Sequence, residues 1–463
     1  MRAAGEILLI SCYELGHQPL TLASPLATLR QAGFEPVTVD TSVDDLTDAA
    51  ISAARLVAIS VPMHTALRLG THIAKRVRAR NSAAHICFYG LYASLNADFL
   101  LDGLADSVIG GEYEQALVSL ARALDSGQPV QVEGVRTREH ASAPVLARIP
   151  FEVPARDTLA GVRHYAHLVR GDEVVPAGYV EASRGCLHTC AHCPITPVYN
   201  GRFFVVPRIV VLEDIREQAR AGVRHITFGD PDFLNGPGHS LEIVRAMHAD
   251  MPWLTFDATI KVEHILERRE VFAELAELGC AFVVSAVESL SPSVLSHLKK
   301  GHSRQDVVEA LRVLDEAGIP MRPTFVAFTP WTTAEDYLEL LDFVLEQGLI
   351  ENVDPVQYSI RLLIPPSSAL LADESAPEWL GPLDREAFTY GWKHPDERMD
   401  ALQRELAALV ERTARDHLDH ATAFAAIRAL ARNRLGARAE PITSTVTPAG
   451  RRPVPHLTEA WFC

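Results

Sequence analysis

Apolar residues in the first 128 positions come in short unbroken runs rather than in strict alternation. "EILLIS" (6–11), "PVTVDT" (36–41), "LVAISV" (56–61), "HICFYG" (85–90) and "SVIGGE" (107–112) read as strands buried on both faces. Amphipathic stretches at 25–33, 71–81 and 114–127 separate them, and Gly33 and Gly127 supply ordinary helix stops. This rhythm predicts an α/β domain over 1–128 with a doubly wound, Rossmann-like parallel sheet. Such sheets bind ligands beyond the carboxyl ends of their strands.

Residues 129–176 hold several prolines and no sustained period, and read as a connector. A second βα rhythm follows. Its apolar runs lie at 178–183, 225–230, 254–260, 282–287, 322–328 and 357–364, each but the last followed by a helical pattern. Six such units predict a (β/α)6 partial TIM barrel over 177–375, with its chemistry at the C-terminal strand ends. Residues 376–463 read as a helical C-terminal region, clearest at 400–416, ending in an irregular tail with Pro441, Pro448, Pro453 and Pro455.

Length and composition narrow the class. A chain of 463 residues exceeds one ordinary core, so two or three domains are expected. With 48% hydrophobic and 22% charged residues it resembles a soluble globular protein. The formal charge of −16 disfavours a general affinity for nucleic-acid phosphate. No apolar run reaches 18 residues, so no membrane span is expected. The apolar run near the N-terminus is too short for a signal peptide and reads as a first strand. Seven cysteines, an odd number with three clustered, argue for a metal site in a reducing cytoplasm rather than a disulfide framework.

That cluster is "RGCLHTCAHCP" (184–194), with Cys186-x3-Cys190-x2-Cys193 directly after the first strand of the second series. A structural zinc site needs four closed ligands; no second cysteine pair exists, and His188 and His192 sit inside the loop. A 4Fe–4S cluster takes a thiolate on each iron, so three cysteines would leave one iron open to a small molecule. Cys12, Cys87 and Cys280 lie in or at the end of apolar runs and read as buried structural thiols.

The spacing, and its place ahead of the βα units, resembles the radical S-adenosylmethionine (SAM) superfamily. The resemblance extends over about 177–366 through "LSHLKKGHS" (295–303) and "AGIPMRPTFVAFTPWTTAED" (317–336). It implies that Cys186, Cys190 and Cys193 hold a 4Fe–4S cluster whose fourth iron binds SAM. It also implies reductive cleavage to methionine and a 5′-deoxyadenosyl radical. His192 stands where the family has an aromatic or apolar neighbour of the adenine. "FGDPD" stands where a Gly-Gly-Glu-like turn holds the SAM amino group, which makes Gly229, Asp230 and Asp232 candidates. "SAVES" puts Ser285 and Glu288 where the family binds ribose or carboxylate.

The first domain, ending in "VIGGEYEQAL", resembles the cobalamin-binding domain fused ahead of many such enzymes. This makes cobalamin an expected cofactor, with Gly110, Gly111 and Glu112 as binding candidates: the glycine turn would let a flat ligand approach closely. "YELGHQPLTLAS" lacks the D-x-H-x-x-G pattern, so His17 is not assigned as a cobalt ligand. The closing "HLTEAWFC", together with 356–371 and 388–403, resembles the CUAEP/CCAEP-tail radical SAM (seleno)proteins, which implies a redox role for Cys463. The Ala-Glu-Pro end of that group is absent, and one explanation is a UGA selenocysteine codon after codon 463.

The expected activity is therefore radical SAM chemistry, cobalamin-dependent and of methyltransferase type. The alternative is a radical SAM enzyme without functional cobalamin, catalysing rearrangement or oxidation; a non-catalytic metal-binding module is the remote one. The expected partners are a small-molecule or peptide substrate and a one-electron donor such as flavodoxin or ferredoxin, with neither membrane nor nucleic acid.

Overall fold

The computed structural model describes residues 1–373, 375–436 and 451–458. Five short apolar runs form one parallel sheet: β1 (Ile7–Ser11), β2 (Val37–Asp40), β3 (Leu56–Ser60), β4 (His85–Tyr89) and β5 (Ser107–Ile109). Their order is β2-β1-β3-β4-β5, with the two-residue β6 (Val135–Arg136) added antiparallel at the edge. Separate hydrophobic clusters cover the two faces, which is why the strands read as continuous apolar runs.

The first helix runs Leu20–Gln31, five residues earlier than the sequence pattern predicts, with Pro25 inside it. Proline removes the N–H that would bond the Thr21 carbonyl. The Tyr89 hydroxyl donates to that carbonyl instead, at 2.8 Å, so the helix passes through the proline without an orphaned acceptor.

The second sheet opens with a hairpin of β7 (His167–Arg170) and β8 (Glu173–Val180). A small ribbon of β9 (Ser183–Gly185) and β10 (Phe203–Val205) follows. Then come β11 (His225–Phe228), β12 (Thr255–Thr259), β13 (Cys280–Glu288) and β14 (Met321–Phe325). Strands β8, β11, β12, β13 and β14 run parallel and curl into a half-barrel backed by helices such as Arg208–Arg220 and Arg304–Ala317.

The sixth position is held more lightly than the run at 357–364 suggests. Residues Pro355–Tyr358 form a 3-10 turn, and a single parallel bridge joins Phe328 to Arg361. Gln357 offers its side-chain oxygen to the Phe325 N–H at 2.8 Å, replacing a ladder bond. Arg361 turns outward to Asp400 and stacks on Trp392, so the C-terminal region takes over the rest of the run.

That region contributes β15 (Leu380–Asp384) paired with β16 (Thr389–Trp392), then helices Glu397–Arg415 and His420–Leu435. The second helix docks on Ala334–Glu346 through Arg428 and Arg432 to Asp342. Strand β17 (His456–Leu457) returns to pair with β7. Cys12, Cys87 and Cys280 are buried and unbridged, as their apolar settings predict. Among the described residues no helix is long and apolar enough to cross a membrane.

Candidate functional site

The cysteine loop is an excursion from the half-barrel, tied at its base by the β9/β10 ribbon. Gly185 makes the tie possible: at φ 77° its Cβ would sit 2.4 Å from the Arg202 carbonyl oxygen. Cys186 N–H donates to that same oxygen at 3.0 Å. Cys190 is buried, while Cys186 and Cys193 are half-buried, and none is in a disulfide. Burial pushes the Cys193 thiol up to about 12, with Cys190 and Cys186 adding to the rise and Lys300 opposing it. The three sulfurs therefore share one electrostatic neighbourhood without converging at single-ion spacing. Among the described residues the one set of potential ligand atoms lying within 4.8 Å of each other is His188, Asp232 and His264. Three nearby but separated thiols suit a cluster, in which each binds its own iron.

At the end of β11, Gly229 leaves no room for any side chain. A Cβ there would fall 1.9 Å from the Tyr179 hydroxyl. Asp230 is buried and accepts from Ala182 N–H and the Ser183 hydroxyl, so it fastens the entry to the cysteine loop. Burial pushes its carboxyl up to about 7, against the pull of those donors. Asp232 is also buried, but it faces His188 and His264. Burial alone would raise its carboxyl; the two histidines outweigh that and hold it below the usual range.

At the end of β13, a register shift between Ala286 and Glu288 turns Glu288 into the left-handed region at φ 66°. A non-glycine residue there stores backbone strain, which collects at functional sites. His192 Nε2 lies 3.2 Å from Glu288 Oε1, and Lys300 Nζ lies 3.6 Å from the same oxygen. Burial would raise the Glu288 carboxyl, but Lys300 first and His192 next hold it down at about 2. Ser285 is fully buried and its hydroxyl has no hydrogen-bond partner. It shares a strand face with Val283 and Val287, which pack in the hydrophobic core, opposite the face of Phe282 and Val284 that lines a cavity.

Gly110, Gly111 and Glu112 lie elsewhere, where the two domains meet. The close approach permitted by the glycines is used by the chain itself. A Cβ on Gly110 would come within 2.6 Å of Ser94, and one on Gly111 within 2.3 Å of the Val145 oxygen. Glu112 is completely buried, pairs with Arg184 at 3.1 Å and accepts from the Tyr199 hydroxyl at 3.0 Å. Arg184 also pairs with Glu114 and Glu181. It immediately precedes Gly185 and Cys186, so the first domain grips the cysteine loop at its base. Arg156 makes a second clasp: it pairs with Asp214 and reaches Gln18 and the Tyr179 carbonyl.

Between the first domain and the half-barrel lies a cavity of about 270 Å³, lined among others by Leu15, His17, Tyr179, Gly229, Asp230 and Arg322. His17 is buried against Tyr179, with ring centroids 5.2 Å apart, and burial lowers its imidazole to about 4. Lys300, His17, Arg184 and His264 are absent from the sequence-level candidates. Lys300 stands inside the "KKGHS" stretch, where a lysine next to an αL turn was the available signal; the others carry no local pattern. Cys463 lies outside the described residues.

Comparison with known proteins fits this geometry. Residues 180–344 match the family model described as Radical SAM superfamily. The chain is 23% identical over 270 residues to an uncharacterized methyltransferase of Pyrococcus horikoshii, covering 56% of this chain and 56% of that protein. It thus spans about half the length of that relative. It superposes on the cobalamin-dependent S-adenosylmethionine radical enzyme OxsB with aqua-cobalamin bound (TM-score 0.69, 15% identity, 88% of this chain and 67% of that one). It also superposes on the radical S-adenosylmethionine methyltransferase TsrM from Kitasatospora setae (TM-score 0.60, 20% identity, 73% and 71%). At these identities the likeness is one of fold: a doubly wound domain ahead of a radical SAM half-barrel.

Proposed function

We propose, from the premise that residues 180–344 form a radical SAM domain, that this protein is a cobalamin-dependent radical SAM enzyme acting as a methyltransferase on a small molecule or peptide. When bound, the cluster and SAM supply one-electron cleavage of the sulfonium to a 5′-deoxyadenosyl radical, and the corrin supplies a methyl group.

The observation that carries the reading is the contact of the cysteine loop, through His192, with Glu288 at the end of β13. Cys186, Cys190 and Cys193 would hold the cluster. Lys300 and His192 keep Glu288 ionised, so a fixed carboxylate faces the site as acceptor for an ammonium or a ribose hydroxyl. Asp230 holds the β8–β9 backbone in place beneath the cysteine loop.

The carboxyl edge of the first sheet is where a corrin would sit. Met63 and Leu91 there, and Ile195 and Phe204 from the cysteine-loop side, are partly buried residues packed against one hydrophobic cluster. Such an apolar, part-open seam suits a flat macrocycle. His17 points into the half-barrel instead, against Tyr179, so it is not the residue that would ligate cobalt.

The test is anaerobic reconstitution with iron and sulfide, then SAM and a one-electron reductant, with 5′-deoxyadenosine and methionine measured. Formation of both, dependent on iron, is expected. Their absence from a protein carrying about four irons per chain would reject the reading. Cobalamin is assayed separately: corrin absorption should co-elute with the protein after loading with hydroxocobalamin.

A further inference from the structure

Three side chains from separate parts of the chain meet beside the cysteine loop. His188 lies in the loop, Asp232 caps the turn after β11, and His264 is on the helix Val262–Glu267 that follows β12. His264 Nδ1 is 2.8 Å from Asp232 Oδ2, and His188 Nε2 is 3.5 Å from the same oxygen. The two imidazole rings tilt toward each other with centroids 4.8 Å apart. At these distances aligned hydrogen bonds would be ordinary. Yet Asp232 Oδ2, His264 Nδ1 and His188 Nε2 are all buried atoms with no hydrogen-bond partner, and Asp232 itself is only 1% exposed.

Buried donor atoms packed this closely without an aligned hydrogen bond are open to a shared metal ion. Metal bonds of about 2.0–2.1 Å to imidazole nitrogen and carboxylate oxygen put neighbouring ligand atoms about 3 Å apart. All three ligand atoms here lie within 4.8 Å of one another. The other oxygen of Asp232 accepts from Leu234 N–H at 3.1 Å, which fixes the carboxylate. The other nitrogen of His188 meets Lys261 Nζ at 3.2 Å and Glu263 at 3.7 Å, and Lys261 is paired with Glu263. A ligating histidine donates its second N–H to an acceptor, and Glu263 is the carboxylate beside His188 Nδ1 that would take that role, with Lys261 held by Glu263 rather than by the ring.

We infer that His188, Asp232 and His264 bind a single divalent first-row transition ion, such as zinc, at a site separate from the three cysteines. Two imidazoles and one carboxylate suit zinc or ferrous iron, and three protein ligands leave a coordination position for water or a donor atom of a substrate. The ion sits between the ends of β11 and β12 and the cysteine loop. It ties His188, and with it the loop, to the barrel strands. Arginine–carboxylate clasps do the same on the first-domain side.

The experiment is zinc and iron analysis of the full-length, cluster-reconstituted protein. The protein is equilibrated with zinc alone and then dialysed against metal-free buffer. The wild type should keep about one zinc per chain beside its iron. His264→Ala should lose the zinc and keep the iron, the iron content reporting that the chain is folded. His264→Cys, which replaces one ligand by another, should recover zinc. The triple variant C186A/C190A/C193A should lose iron and still hold zinc. No retained zinc in the wild type would overturn the assignment. So would zinc that survives His264→Ala, or that disappears with the three cysteines.

Discussion

His192 and Glu288, 96 residues apart, meet at 3.2 Å and join the cysteine loop to the end of β13. The sequence suggests them as separate contacts, one for adenine and one for ribose or carboxylate. The fold makes them one polar unit with Lys300 as its third member. His192 is thus held at its Nε2 by a buried carboxylate.

Each cysteine of the loop should be indispensable. Cys186→Ala, Cys190→Ala or Cys193→Ala should each reduce 5′-deoxyadenosine formation to background, because in the proposed cluster each thiolate would serve a different iron. Single-turnover assays on anaerobically reconstituted protein check this, with iron content measured alongside.

The Glu288–Lys300 pair should be worth far more than a surface ion pair. Glu288→Gln leaves a buried lysine uncompensated, at a cost of about 3 kcal/mol. The pH dependence has a definite sign. The folded carboxyl sits at about 2, below an unfolded value of about 4.3. Its stabilisation is complete above pH ~4.3 and is lost as pH falls toward 2. Denaturant unfolding between pH 6 and pH 3 should show a shallower acid decline in Glu288→Gln than in the wild type.

Asp230 should act in the opposite direction. Its folded carboxyl lies at about 7, raised by burial from about 3.9. Its contribution is therefore greatest below pH ~3.9 and is lost as pH rises to 7. Asp230→Asn should flatten the stability profile across that window. An unchanged profile would show that Asp230 does not titrate there.

Arg184 should be the costliest single clasp between the domains. Arg184→Met leaves Glu112 and Glu114 buried without their cation, and about 3–5 kcal/mol should be lost. Guanidinium unfolding measures the loss. Proteolysis within residues 129–176 should also speed up, since the two domains would separate more readily.

Gly229→Ala should damage both fold and site. The added methyl collides with the half-buried Tyr179 ring, and overpacking of this kind costs about 1–3 kcal/mol. SAM affinity, read by equilibrium dialysis, should fall by more than in a control such as Gly238→Ala, where a Cβ meets open space in a helix.

Much of the architecture was legible because burial on both faces of a parallel sheet writes continuous apolar runs, and helices between them write an amphipathic period. All five strands of the first sheet and five of the barrel runs stand close to their predicted places. The run at 357–364 misled because apolar character marks burial without naming the hydrogen-bond partner. There Gln357 and Arg361 found side-chain partners in place of a ladder. The early start of the first helix was hidden by Pro25, whose cost is cancelled by Tyr89, a residue 64 positions away that no local window includes.

Local sequence determined the chemistry that depends on spacing within a single loop: three cysteines in eight residues, presented after a strand. It also placed the small and acidic residues at the strand ends. Tertiary structure alone decided which of these meet. Asp230 and Asp232, two residues apart, face different neighbours, one gripping the β8–β9 backbone and the other two histidines. Glu112 became a buried clasp because Arg184 folds onto it from another domain. Strand periodicity says which face a side chain leaves from, but the electrostatic environment it enters is set by elements distant in sequence. Desolvation and ion pairing, the forces that fix these carboxylates, act over a few ångströms in space and leave no mark on sequence order.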